Sequence, residues 1–125
     1  MPAIQQKDDL GDVLKYEAPN LYSRDIATVA TGQHLSIGAV VGRDPANGKL
    51  SSIDPTAEDA SADAVGVLAN DIDATVADRH DAVLIARHAI VAGHALVWPA
   101  GITAPQKATA IAQLHALGIL VRTSA

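Results

Sequence analysis

A chain of 125 residues without cysteine has room for one domain and no covalent staple, which excludes a disulfide scaffold, a thiolate metal centre and a cysteine nucleophile. Its 14 acidic and 9 basic residues give a formal net charge of −5, and no Lys/Arg stripe is present to neutralise phosphates, so nucleic acid is not an expected partner. With no Phe, one Trp and two Tyr, the core must be built from Ala, Val, Leu and Ile. At about 25 cal/mol per Å² of apolar surface such a core is thin, and a subunit interface is one place to make up the difference.

Lys7, Asp8 and Asp9 lie where a secretory leader would be apolar, and stretches such as AVLIA at 82–86 fall far short of the roughly 20 residues that cross a bilayer. The expectation is a soluble chain made in the cytoplasm, with no membrane partner.

Residues 1–25 keep neither a helical nor an alternating period, which predicts a flexible arm ahead of a β-rich domain over 26–125. Tyr16, Leu21 and Tyr22 are the apolar anchors of that arm. From Ile26 the pattern changes: 26–31 is short and β-branched, Gly32 and Gln33 break it, and Leu35, Ile37, Ala39 and Val41 alternate on one face, predicting two strands with a corner between them. GRDPANGKL at 42–50 carries Asn-Gly, which suits the positive φ angles of a type I′ turn, so the chain should double back into a strand over 49–53. An acidic loop over 54–63 precedes a strand at 64–69, which 72–76 can continue after a bend at Asn70 and Asp71; 77–81 reads as a connection.

In AVLIARHAIVA at 82–92, Val83, Ile85 and Val91 lie on one face and Leu84 and Ile90 on the other. Such a strand is either central in a packed sheet or half of a subunit contact. One helix is expected over 104–117, capped by Thr103 with Gln106 three residues on, tolerant of Pro105 in its first turn, and stopped by Gly118. Ile111, Leu114 and Leu117, with Ala104 and Ala108, should face the body, and 119–121 should return as a short strand. The fold class is therefore mainly β, formally α+β: short strands with one C-terminal helix.

No seat for catalysis is visible. His34, His80, His88, His94 and His115 form neither an HxxxH pair nor a tight cluster with a carboxylate, so structural or surface roles are expected and no metal or other cofactor is implied. Asp71, Asp73 and Asp78 lack the glycine and glutamate of a calcium loop and read as turn and edge residues, and neither GxSxG nor a phosphate-cradling glycine motif occurs. Trp98 and Pro99 are the most informative pair: the only Trp is either a core plug or an interface anchor. Trp98, Pro99, Leu84 and Ile90 are therefore the candidate trimer or core anchors.

The segment ALVWPAGITAPQKATAIAQLHALGILVR at 95–122 resembles the C-terminal part of the lambda-type phage head decoration proteins, with a Trp-Pro step before a helix and a final strand. TVATGQHLSIGAVVGR at 28–43, GKL at 48–50 and VGVLANDIDAT at 65–75 are similar to that family's opening and middle strands. The resemblance runs from about residue 26 to 122 and implies a β-clip-like small barrel that forms a homotrimer. Such trimers sit on the outer surface of the virion, at threefold sites of an expanded head, and cement the shell by binding its major capsid protein. The arm would order on the shell, adding main-chain hydrogen bonds to a capsid strand. The runner-up is a free-standing β-clip module that binds a small ligand; an enzyme of the trimeric dUTPase-like kind comes third.

Overall fold

The computed structural model describes residues 9–123. In chain order it has a one-turn helix α1 (Leu10–Val13), β1 (Leu14–Glu17), β2 (Arg24–Val29), β3 (His34–Leu35), β4 (Val40–Arg43), β5 (Leu50–Ser52), β6 (Gly66–Leu68), β7 (Ile72–Asp73), β8 (Arg79–Ile85), β9 (Ala89–Ala92), α2 (Ala104–Ala116) and β10 (Ile119–Arg122). The expected class is what forms: mainly β with one substantial helix near the C-terminus. Strands β2-β5-β4-β6-β8 close into a barrel, β1-β9-β10 form a three-stranded sheet beside it, and β3-β7 pair separately.

The aliphatic sequence is divided between two cores. Each of the five barrel strands sends a side chain into the first: Val29, Leu50, Val41, Leu68, and Ala82 with Leu84. The neighbours of several of these residues, Val40, Val67 and Ile85, point outward into the second core, where Leu114 of α2, Val91 of β9 and Ile119 of β10 cover them. Side chains alternate across a strand, so a barrel wall covered on its outer side reads as apolar at every position. That is why 82–85 shows no polar face.

The eleven residues read as one strand over 82–92 are two. β8 ends at Ile85, and β9 begins at Ala89. The break is His88, held at φ 46°, a left-handed conformation that a non-glycine side chain rarely adopts and that no local composition announces. β8 also begins at Arg79, inside the expected connection. Leu35 and Val41 likewise fall in separate strands, because Gly38 at φ 90° turns the chain between them; a Cβ there would overlap the Ala95 carbonyl oxygen. Residues 72–73 do not extend β6 but pair with β3.

The loop between β4 and β5 contains only one left-handed residue, Gly48, so it is not a type I′ turn. Instead the Asp44 side chain accepts from the Ala46 amide at 2.8 Å, and the Gly48 amide donates to the Asp44 carbonyl at 2.8 Å, making a wider turn around Pro45.

Helix α2 has the cap its sequence encodes. Thr103 Oγ1 accepts from the Gln106 amide at 3.2 Å while Gln106 Oε1 accepts from the Thr103 amide at 2.9 Å. Its buried residues are Ala110 and Leu114, so the contact face is rotated from the expected one, leaving Ala104, Ala108 and Leu117 exposed. The rotation lets Gln113 accept from the Ala64 amide at 2.8 Å and donate to Asp63 at 2.9 Å, which ties the acidic loop to the helix.

Candidate interaction surface

Residues 9–25, inside the segment expected as a flexible arm, lie docked on the body; residues 1–8 fall outside the described part. Asp9 and Asp12 cap α1 reciprocally, Val13 is fully buried, and β1 pairs antiparallel with β9. The docking depends on tertiary partners supplied some 70 residues later, which a local reading does not contain. Ser23 is the pin. Its fully buried hydroxyl donates to the His88 carbonyl at 2.8 Å and accepts from the Ala18 amide at 3.0 Å, and its own carbonyl accepts from the Ala86 amide at 2.8 Å.

Docking leaves apolar side chains facing outward. Tyr16, Ile90 and Leu120 occupy one register row across β1, β9 and β10, with Tyr16 and Leu120 exposed and Ile90 half-buried. Tyr22 is exposed beside His88, the ring centroids 5.3 Å apart, with the Arg87 guanidinium carbon 5.5 Å from the Tyr22 centroid. Leu21 is 62% exposed at φ 59°, following Asn20 at φ 62°. Asn tolerates this region through its short polar side chain, whereas leucine is strained there. Ile26 on β2 is 71% exposed. Neither Ile26 nor Ser23 stood out as a surface or anchoring residue in the sequence; the first isoleucine of a short strand and a serine among turn residues carry no distinguishing signal.

The charges beside Tyr22 and Ile26 are paired among themselves. Arg24 meets both Glu17 oxygens, at 2.6 and 2.8 Å, and Arg87 meets Asp25 at 2.6 Å and the Tyr22 carbonyl at 2.7 Å. The Arg24 hydrogen bond holds the Glu17 carboxyl below its usual range, and the Asp25 hydrogen bond raises Arg87. Around Tyr22 and Ile26 the result is apolar bulk with the adjacent charges balanced, suited to a protein partner more than to a phosphate.

The other sequence candidates are scattered. Leu84 is 1% exposed inside the barrel, out of reach of a second copy, and thus apart from Ile90. Trp98 and Pro99 are half-buried: Trp98 packs on the second core, and Pro99 lines an open groove of about 350 Å³ with Ile53, Pro55, Ile102 and Gln106. Among the described residues no three His, Asp or Glu side chains converge as metal ligands. His80 lies 3.0 Å from Thr28 Oγ1, and His115, exposed on α2, accepts from the Val121 amide at 3.3 Å. Asp71 accepts from the Ile37 amide, Asp73 from Thr75, and Asp78 from Thr31, so all three brace turns and strand ends.

No curated protein matches the chain. A protein-family comparison does, over residues 3–119, a span that takes in the docked N-terminal segment as well as the barrel and α2. With nearly its whole length so matched, the chain belongs to the bacteriophage lambda head decoration protein D family.

Proposed function

We propose that the protein is a non-enzymatic cement of a phage head: a β-clip-like module that binds as a homotrimer at threefold sites on the outside of the expanded shell and holds neighbouring capsid subunits together. Family membership across residues 3–119 carries this reading. The surface just described supports it, since Tyr16, Leu21 and Tyr22 present apolar bulk with internally balanced charge and would contact the major capsid protein. Residues 1–25 form the capsid-binding segment in this reading, docked over 9–25 before the shell is met. Synthesis is in the host cytoplasm, and neither nucleic acid nor a membrane is a partner. Trp98, Pro99 and Ile90 are half-buried and thus open to a subunit contact, whereas Leu84 serves the core. A closed threefold ring uses a heterologous contact between two different patches on each copy.

The test is to add the purified protein to expanded, decoration-free heads of its phage, measure co-sedimentation, and then challenge the heads with heat and chelator. Saturable binding with raised resistance is expected. Absence of binding, or heads no tougher with it than without, refutes the proposal; sedimentation equilibrium showing a monomer at micromolar concentration refutes the trimer.

A further inference from the structure

The chain has three asparagines, and their surroundings differ in what they leave free. Asn70 is held at both ends of its carboxamide: Nδ2 donates to the Asp81 carbonyl at 3.1 Å and Oδ1 accepts from the Val83 amide at 3.0 Å. Asn20 is exposed, but the next residue is Leu21, whose branched side chain flanks the following amide nitrogen. Asn47 is exposed in the loop between β4 and β5, and the next residue is Gly48. Its Oδ1 accepts from the Lys49 amide at 2.9 Å, while among the described residues nothing accepts from its Nδ2.

The bond to Oδ1 closes a ring that contains the Gly48 nitrogen, so the Asn47 carboxamide is folded back over the peptide that follows it. A donor on that oxygen also draws electrons from Cγ and steadies the charge that builds on Oδ1 when a nucleophile adds there. Nothing lies within 4 Å of where a Cβ on Gly48 would stand, so the approach to its nitrogen is open. What opposes attack is the hydrogen bond from the Gly48 amide to the Asp44 carbonyl at 2.8 Å, with Arg43 holding the same residue through its carbonyl, also at 2.8 Å. The nitrogen becomes a nucleophile only when its hydrogen bond opens and its proton is lost.

We infer that Asn47 is a site of spontaneous deamidation, gated by opening of the loop between β4 and β5. Hydroxide takes the Gly48 proton, the nitrogen bonds to Asn47 Cγ, and the Cγ–Nδ2 bond breaks. The leaving nitrogen takes a proton from water and departs as ammonia, which regenerates hydroxide. Water then opens the cyclic imide at either of its carbonyls. Opening at Cγ leaves aspartate at 47, which keeps an oxygen for the Lys49 amide; opening at the main-chain carbonyl leaves isoaspartate, which lengthens the backbone by a methylene between residues 47 and 48 and breaks the turn joining two barrel strands. Either product takes the formal net charge one unit below −5. The fraction converted therefore grows with the age of the molecule.

Ageing the purified chain at mildly alkaline pH, with peptide mapping by mass spectrometry, reads the conversion. Peptides holding Asn47 should split into aspartyl and isoaspartyl forms, each heavier by the exchange of NH2 for OH, before those holding Asn20 or Asn70 change. The gate is read from rates. Conversion at Asn47 should run roughly tenfold faster in the guanidinium-unfolded chain than in the native one. Pro45→Ala, which frees the loop to open, should speed it roughly two- to fivefold in the native state, with an equal gain in hydrogen exchange of the Gly48 amide. If Pro45→Ala does not fold, the comparison of native and unfolded wild type still decides. Asn20 or Asn70 converting first, or Asn47 left intact when they have changed, overturns the assignment of the site. Equal rates in the native and unfolded chain overturn the gate.

Discussion

Replacing Ser23 with alanine removes the one polar side chain in the described structure that is wholly buried, and with it the pin between the docked N-terminal segment and the turn joining β8 to β9. Two main-chain groups lose their partner, the His88 carbonyl at 2.8 Å and the Ala18 amide at 3.0 Å. Each buried group left unsatisfied costs about 1–3 kcal/mol; since both groups are only part-buried, water recovers some of it, and a total of about 2–4 kcal/mol is expected. For a domain of this size that corresponds to a fall in Tm of roughly 6–16 °C. Urea unfolding of wild type and Ser23→Ala, followed by circular dichroism, measures it, with the m-value unchanged because the surface exposed on unfolding is the same. Native-state hydrogen exchange should locate the loss, the β1 amides exchanging faster while those of β4 and β6 follow global stability. A change below about 0.5 kcal/mol, the ordinary scatter of a surface substitution, would refute the claim that this hydroxyl holds the segment down.

Gly66→Ala should abolish stable folding, because its Cβ would overlap the Ile85 carbonyl oxygen and meet Leu84 Cδ1 at 2.7 Å, whereas Gly32→Ala, with open space around it, should cost only the roughly 1 kcal/mol of a left-handed alanine. Thermal melts of the pair check the contrast. Leu21→Gly relieves a strained φ of 59° and should raise stability by about 0.5–1 kcal/mol while weakening binding to heads, a separation that a merely structural leucine would not give. Asp78 sits well below the ordinary carboxylate range because it accepts from Lys49 and from the Thr31 hydroxyl and amide. A depressed folded-state pKa contributes stability that is complete above the unfolded value of 3.8 and is lost as the pH falls below it. Asp78→Asn should therefore be less stable than wild type at pH 7, and the gap should narrow steadily as the pH falls below 3.8; a gap that does not narrow there would show that the ionised carboxylate is not its source.

What could be read from the sequence was what short spacing encodes. Thr103 and Gln106 lie three residues apart, and their capping box forms as read. Gly118 ends the helix at φ 82° because a Cβ there would come within 2.8 Å of His88 Cδ2, so the stop signal and the long-range packing agree. The break at His88 was hidden because its left-handed φ is imposed from outside. Ser23 bonds its carbonyl, Gly118 accepts from the amide of the next residue, and Arg87 before it is drawn to Asp25 and Tyr22. An arm was expected over 1–25 for the same reason: Leu10, Val13 and Leu14 keep no sustained period among their polar neighbours, and the burial of Val13 is decided by partners such as Ala95 that lie far along the chain.

The doubly apolar stretch over 82–92 left open a central strand or a subunit contact, and the two cores account for it within one chain. Leu84 fills the barrel while Ile85 packs beneath Leu114 and Val91, so both faces of β8 are covered with no second copy. Apolar content along β8 is thus no longer an argument for association. The surfaces left to serve a partner are those that intrachain packing did not use: the row of Tyr16, Ile90 and Leu120, the strained and exposed Leu21, and the exposed Ile26. Tyr16 in β1, Leu21 after it and Ile26 in β2 flank the Ser23 pin in the chain, and Ile90 and Leu120 lie in the same row as Tyr16. The pin and the patch are therefore coupled: a rigidly docked segment presents its apolar side chains at no further cost in ordering, where a free arm would lose roughly 1–2 kcal/mol of backbone entropy for every residue it fixes on the shell.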